Sequence, residues 1–262
     1  MAIRQSTGLR DFIGGLGSYK HAFFGGILKI YSGTQPTSAD DAVAGTLLVS
    51  ITNASGAHTN EVLSSGSVQI TNPGAGTVNY IYLITNAFDI LGATITYASS
   101  AANTAALCAA QINKYCGGAG GGWKASAVAT DVITIYAPRG TGTAWNTKDI
   151  TANLTTLTST DANFSGGVAH VNGLQFAGPA SSGKISKDSL QTWSGVAGNT
   201  GTAGWFRLCA AIADAGSSST TLLRLDGSIA TSGADLNLAS TTITAAATVT
   251  IDQFDITVPA NA

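Results

Sequence analysis

The stretch ATVTIDQFDITVP, residues 247–259, sets Val249, Ile251, Phe254, Ile256 and Val258 apart with Asp252, Asp255 and Thr257 between them. Apolar residues at every second position mark a strand with one buried face. The alternation slips at Gln253-Phe254, a place where a β-bulge would absorb one extra residue. Runs of the same kind precede it: GKISK, TWSGVA, GWFRLCAAIA and TLLRLDGSI in the second half, and ILKIY (Ile27–Tyr31) and GTLLVSIT (Gly45–Thr52) near the front. Gly, Ser, Thr and Asn clusters such as SGTQPTSAD divide them. Many short strands between turn clusters predict a mainly β chain, an antiparallel β-sandwich or jelly-roll-like domain.

Within this pattern RLDGSIATSGADLNLASTTI (Arg224–Ile243) reads as two strands around a Gly-Ala-Asp turn. Asp226-Gly227 and Gly233-Ala234-Asp235 read as turn formers, because Asp hydrogen-bonds its own backbone and Gly accepts positive φ. Leu222, Leu223, Leu225 and Ile229 read as partly core. The segment holds one Arg and two Asp but no His, Cys or Lys, and so reads as conformational rather than chemical.

The middle of the chain breaks the β pattern. NTAALCAAQINKYC (Asn103–Cys116) has helical spacing, with Asn103 as the expected N-cap and the glycines of 117–122 as its terminator. WKASAVATDVITIYAP follows as a hairpin turning near Thr130-Asp131, then the loop RGTGTAWN and a last strand in DITANLTTL. The expected organisation is therefore a discontinuous β-domain, 27–80 plus 160–262, carrying a small inserted α+β module, 81–159. Residues 1–26 form an N-terminal arm, in which Leu9, Phe12, Ile13 and Leu16 recur at helical spacing. That helix either caps the domain's own core or docks on a neighbouring subunit.

Of 262 residues only 10% are charged, and the net charge is −2; an average soluble protein carries ~25% charged residues. A chain with so little charged surface is expected to bury surface in an assembly. No basic cluster tracks a phosphate backbone, so direct nucleic-acid binding is not expected. The three cysteines, Cys108, Cys116 and Cys209, give no disulfide framework. No apolar run reaches the ~20 residues of a membrane helix, and the first residues lack the apolar core of a signal peptide.

LKIYSGTQPTSADDAVAGTLLVSIT at the front, with GTAGWFRLCAAIAD and RLDGSIATSGADLNLASTTITAAATVTIDQFDITVP at the back, resembles a family of tailed-bacteriophage virion structural proteins. The inserted stretch is similar to a second phage module, on NTAALCAAQINKYC, WKASAVATDVITIYAP and RGTGTAWN. The resemblance implies a virion component assembled in the host cytoplasm: a capsid decoration (cement) protein or a head–tail or tail accessory protein. Its partners would be copies of itself, as a trimer if it decorates a capsid, and other virion proteins. A receptor- or carbohydrate-binding module of the tail is the alternative. Contact residues expected on this reading are Leu9, Phe12, Ile13, Phe23 and Phe24 of the arm and Trp145 of the insert.

No catalytic constellation, cofactor site or metal site is expected. His21, His58 and His170 lie in separate segments, without a nucleophile elbow. Cys108 and Cys116 lack the further ligands that zinc needs. GGAGGG follows a helix, whereas phosphate loops precede one. Glu61 is the sole glutamate, which leaves no paired carboxylates of that kind for glycoside hydrolysis. Asp226, Asp235, Asp252 and Asp255 offer oxygen ligands without calcium-loop spacing.

Overall fold

A computed structural model describes residues 3–15, 17–71, 74–84, 87–116, 122–178 and 180–257. The chain forms two compact units: Met1–Gly14, Ser18–Glu61 and His170–Ala262 make one, and Val62–Ala169 with Gly15–Gly17 makes the other. Both are mainly β, built from antiparallel sheets with few helices. The first leg of the outer unit carries β1 (Arg4–Gln5), α1 (Thr7–Gly15), α2 (Tyr19–Ala22), β2 (Ile27–Ser32) and β3 (Leu47–Asn53). The inserted unit carries β4 (Ser65–Ile70), β5 (Thr77–Leu83), β6 (Phe88–Asp89), β7 (Ile95–Thr96), α3 (Ala101–Tyr115), β8 (Lys124–Ser126), β9 (Val132–Tyr136), β10 (Ile150–Thr155) and β11 (Ser159–Ser165). The second leg of the outer unit carries β12 (Lys184–Ser186), β13 (Trp193–Val196), β14 (Gly201–Cys209) and β15 (Arg224–Ala230). It continues with β16 (Leu236–Asn237), β17 (Thr242–Ile243), β18 (Thr248–Ile251) and β19 (Asp255–Thr257).

In the outer unit the main sheet runs β1-β15-β14-β2-β3-β13-β18, with β16 added to β15 and β17 to β14. The β15–β16 pair is parallel, whereas the sequence suggested two strands about a tight turn. β14 lies in the interior of the sheet, between β15 and β2, and its residues are apolar on both faces: Trp205, Phe206, Leu208 and Cys209 are all buried. The slip in the carboxy-terminal alternation is no bulge. β18 ends at Ile251 on β13, and β19 begins at Asp255 on β12, so the chain changes partner there. Phe254, between them, enters the core and meets Trp193, Phe206 and Phe176 at ring distances of 5.6, 5.4 and 6.2 Å.

The N-terminal segment is woven into this unit. Ser6 Oγ accepts from the N–H of Leu9 and of Arg224 and donates to the carbonyl of Leu222. Asp40 accepts from the backbone N–H and the hydroxyl of Thr7, capping α1 from a distant loop. Gly8 lets the helix lie against the chain, since a Cβ there would sit 2.5 Å from the Thr221 carbonyl oxygen. The expected contact residues Leu9, Phe12 and Phe23 are consequently buried in their own unit, which removes them from any external surface. Ile13 and Phe24 are half-buried. Leu16 lies outside the described residues.

The inserted unit begins and ends further out than 81–159. β4 and β11 pair with one another, Ser159 opposite Ile70, and both belong to the insert. Its two sheets, β10-β5-β6 with β7 on β5, and β11-β4-β9-β8, share one core with α3. The hairpin expected around Thr130-Asp131 is β8–β9. Ser100, not Asn103, caps α3: its side chain accepts from the Asn103 N–H, and the helix starts one residue later. The glycines expected to end it lie outside the described residues except Gly122, which has φ +64. Trp145 packs edge-on against Trp123 at 4.5 Å and beside Phe164, over its own core, and is not the free aromatic that its Gly/Thr loop suggested.

Phe254 is the joint between the two strand partnerships. Phe254→Ala should lower stability by about 3–5 kcal/mol, read as a lower urea midpoint by tryptophan fluorescence, which Trp193 reports directly.

Candidate functional site

The chemistry-bearing side chains of the outer unit converge where the sequence looked quiet. Arg207 on β14 stands opposite Asp226 on β15. Its Nε and Nη2 donate to the two carboxylate oxygens at 2.8 and 2.7 Å, a bidentate pair with side chains 1% and 0% exposed. Two residues away, Arg224 donates to both oxygens of Asp214 at 2.7 and 2.6 Å. Asp226 and Gly227 are thus mid-strand and buried rather than turn formers. Further guanidinium hydrogens reach backbone: Arg207 donates to the Asp41 carbonyl at 3.2 Å and Arg224 to the Ser217 carbonyl at 2.8 Å. Trp205, stacked on Tyr31 at 4.5 Å, donates to the Ala44 carbonyl. The loop between β2 and β3 is held over the sheet by Arg207 and Trp205, and the loop before β15 by Arg224.

Burial disfavours charge at Asp214, but the bonds from Arg224 and the Gly216 N–H more than offset it and hold the carboxyl below its ordinary value. At Asp226 burial prevails and pushes the carboxyl up, against the pull of Arg207. Burial would also lower Arg207; its bonds to Asp226 reverse this and keep it protonated. Both carboxylates and most of the guanidinium hydrogens are engaged inside the unit, which makes the network a structural clamp.

The histidines are less scattered than their sequence positions imply. His58 Nε2 lies 3.0 Å from the Gly25 carbonyl oxygen, and His170 stands edge-on to Phe24 at 5.1 Å. Burial lowers the His170 pKa, with Glu61 opposing and His58 adding to the shift, so these three groups of the outer unit share one neighbourhood. His21 is apart, an exposed residue of α2. Burial pushes the Cys108 and Cys209 thiols up to about 12, which keeps them unreactive core residues. Among the described residues no three His, Cys, Asp or Glu side chains are grouped so that they could hold a metal ion. The four aspartates considered for calcium are divided: Asp226 is in the clamp, Asp235 accepts from Ser228, Asp255 pairs with Lys184 at 3.2 Å, and Asp252 is exposed.

Two surfaces remain. On the outer unit a groove in two sections, about 340 and 250 Å³, runs between residues 235–244 and residues 247–255. On the inserted unit Tyr80 and Tyr82 of β5 stack at 5.2 Å, with Tyr80 45% exposed. Beside them Asn79 donates to Asn153 and to Thr155 of the neighbouring β10. No family model, curated protein or solved structure matches the chain.

The clamp gives two expectations. Asp226→Ala should cost about 3–5 kcal/mol, because it strands a buried guanidinium, whereas the paired change Arg207→Met with Asp226→Leu should cost less; urea unfolding measures both. A carboxyl held below its unfolded value stabilises the fold above that value and stops doing so as pH falls through the folded value. Acid unfolding should therefore set in below about pH 4, and Asp214→Asn should flatten that limb while lowering stability at neutral pH.

Proposed function

We propose that this chain is a structural component of a tailed-phage virion, acting by non-covalent association with copies of itself and with other virion proteins. The observation that carries the reading is the inward placement of charge. Two arginines and two aspartates of a sparsely charged chain are paired inside the outer unit. The exterior keeps Ser, Thr and Gly together with uncovered apolar side chains, among them Val128 at 81% and Leu190 at 93% exposure. Weakly charged surface with scattered apolar side chains desolvates cheaply when many copies pack together. The sequence resemblance supplies the virion setting. Because the arm is folded into its own unit, association would use outer surfaces rather than exchange of the arm.

Antibody labelling of intact particles, with light scattering on the purified chain, tests the reading. A homo-oligomer and labelled capsids or tails are expected. A monomer at tens of micromolar concentration, absent from particles, would overturn it.

The Tyr80–Tyr82 stack favours a second reading, a glycan-binding face on the insert, since exposed rings beside amide and hydroxyl groups suit the apolar face and hydroxyls of a sugar. On that reading Tyr80→Ala with Tyr82→Ala should cut adsorption to host cells at least tenfold and leave particle stability unchanged. Unchanged adsorption would remove it.

A further inference from the structure

The free edge of the main sheet in the outer unit is open in a specific way. β18 is the last strand of its sheet, with β13 as its neighbour. In an antiparallel pair the residues alternate between those that bond the partner and those that face away. Ala197 N–H bonds the Ala247 carbonyl, and the register places Gly195 opposite Val249 and Trp193 opposite Ile251. The bonded residues of β18 are therefore Val249 and Ile251. The other side of β13 agrees: the Ala54 N–H bonds the Thr192 carbonyl, so Ser194 turns its backbone to β3 and leaves Trp193 and Gly195 for β18. The N–H and C=O of Thr248 and Thr250 thus point away from the sheet.

These groups face the groove described above. Thr248, Val249 and Thr250 line it consecutively, which side chains on alternating faces can do only where the strand presents its edge. The opposite wall, from Leu238 to Thr244, leaves space beside the edge. The edge is short, but it lacks two devices that usually blunt one: TVTI carries no Lys and no Pro, and every residue is β-branched. At its carboxy-terminal end the groove is acidic, lined by Asp235, Asp252 and Asp255 and by no Lys or Arg. Asp235 and Asp255 have partners within the chain; exposed Asp252 has none among the described residues.

We propose that this edge accepts an extended segment of a partner polypeptide as an added antiparallel strand, with a Lys or Arg at the segment's N-terminal end beside Asp252. Backbone bonds to Thr248 and Thr250 supply the attachment. The charge sets direction: antiparallel addition brings the segment's N-terminal end to Asp252, whereas parallel addition would bring its carboxy-terminal end there. The choice of a polypeptide partner rests on the association reading above.

The probe is a fluorescein-labelled synthetic peptide, Lys-Thr-Val-Thr-Val-Thr amide, titrated with the purified chain by anisotropy. Thr250→Pro removes an outward N–H without breaking a bond to β13 and should weaken binding at least tenfold. Thr250→Ala, which keeps that N–H, should bind within twofold of the unaltered chain. Asp252→Asn should weaken binding about threefold at low salt and not at high salt. In the unaltered chain the Thr248 and Thr250 amides should exchange hydrogen rapidly and become protected by the probe, a readout that needs no variant to fold. Absence of saturable binding, equal binding by the Pro and Ala variants, or a dimer of this chain abolished by Thr250→Pro would each overturn the proposal. Particle labelling reports on the virion reading alone, so either can fail without the other.

Discussion

A buried charge has to be paired, and in the outer unit that requirement organises what surrounds it. Arg207 and Arg224 sit in strands covered on both faces, where a lone guanidinium would be untenable. Each meets a carboxylate in a two-toothed arrangement, and its spare hydrogens must then find oxygens. Those oxygens belong to the chain on either side: Asp41 and Ala39 in the loop after β2, Ser217 in the loop before β15. One electrostatic demand at the sheet centre thereby fixes the path of two long loops. Asp40 of the same loop caps α1, so the clamp's influence reaches the N-terminal helix.

Pairing of this kind contributes order more than net stability, because desolvating four charges consumes much of what their attraction returns. The apolar contacts supply the rest. Phe254 closes an aromatic group with Trp193, Phe206 and Phe176 at the point where the last strands change partners. The inserted unit needs no clamp. Its core is aliphatic and aromatic, from Val68 and Ile70 through Ile112 to Phe164, and Asn113 of α3 completes the edge of β8 by exchanging two bonds with Ala125.

The same distribution bears on function. With four charged side chains paired inside, an already sparsely charged chain keeps still less charge on its exterior. Its uncapped features differ in kind: a stacked pair of tyrosines on the insert, and on the outer unit a strand whose outward amides lack partners among the described residues. The first offers ring faces, the second backbone hydrogen bonds, and partners recognised by each would differ accordingly.

Alternating apolar residues were enough to find β2, β3 and β9 and to mark the carboxy-terminal stretch as strand, though not its division into β18 and β19, and 3.6-residue spacing was enough to find α3, because both patterns report burial of one face locally. β4 escaped notice: its SGSVQI offers two large apolar residues, and the space beside Gly66 is taken up by Ile150 and the Ala162 carbonyl. The boundaries of the insert were misplaced for the same reason, since they depend on which strand β4 pairs with. Arg207 and Asp226 carried a signal, opposite charges inside two apolar strands, but turn propensity at Asp-Gly outweighed it. Composition and periodicity determined by themselves a weakly charged, mainly β chain with an interrupting helical module. Only the tertiary structure decided that the arm belongs to its own unit, that His58, Glu61 and His170 are neighbours, and that the quiet segment holds the clamp. Local spacing encodes which face of an element is covered; which distant group covers it is set by the register between strands far apart in the chain.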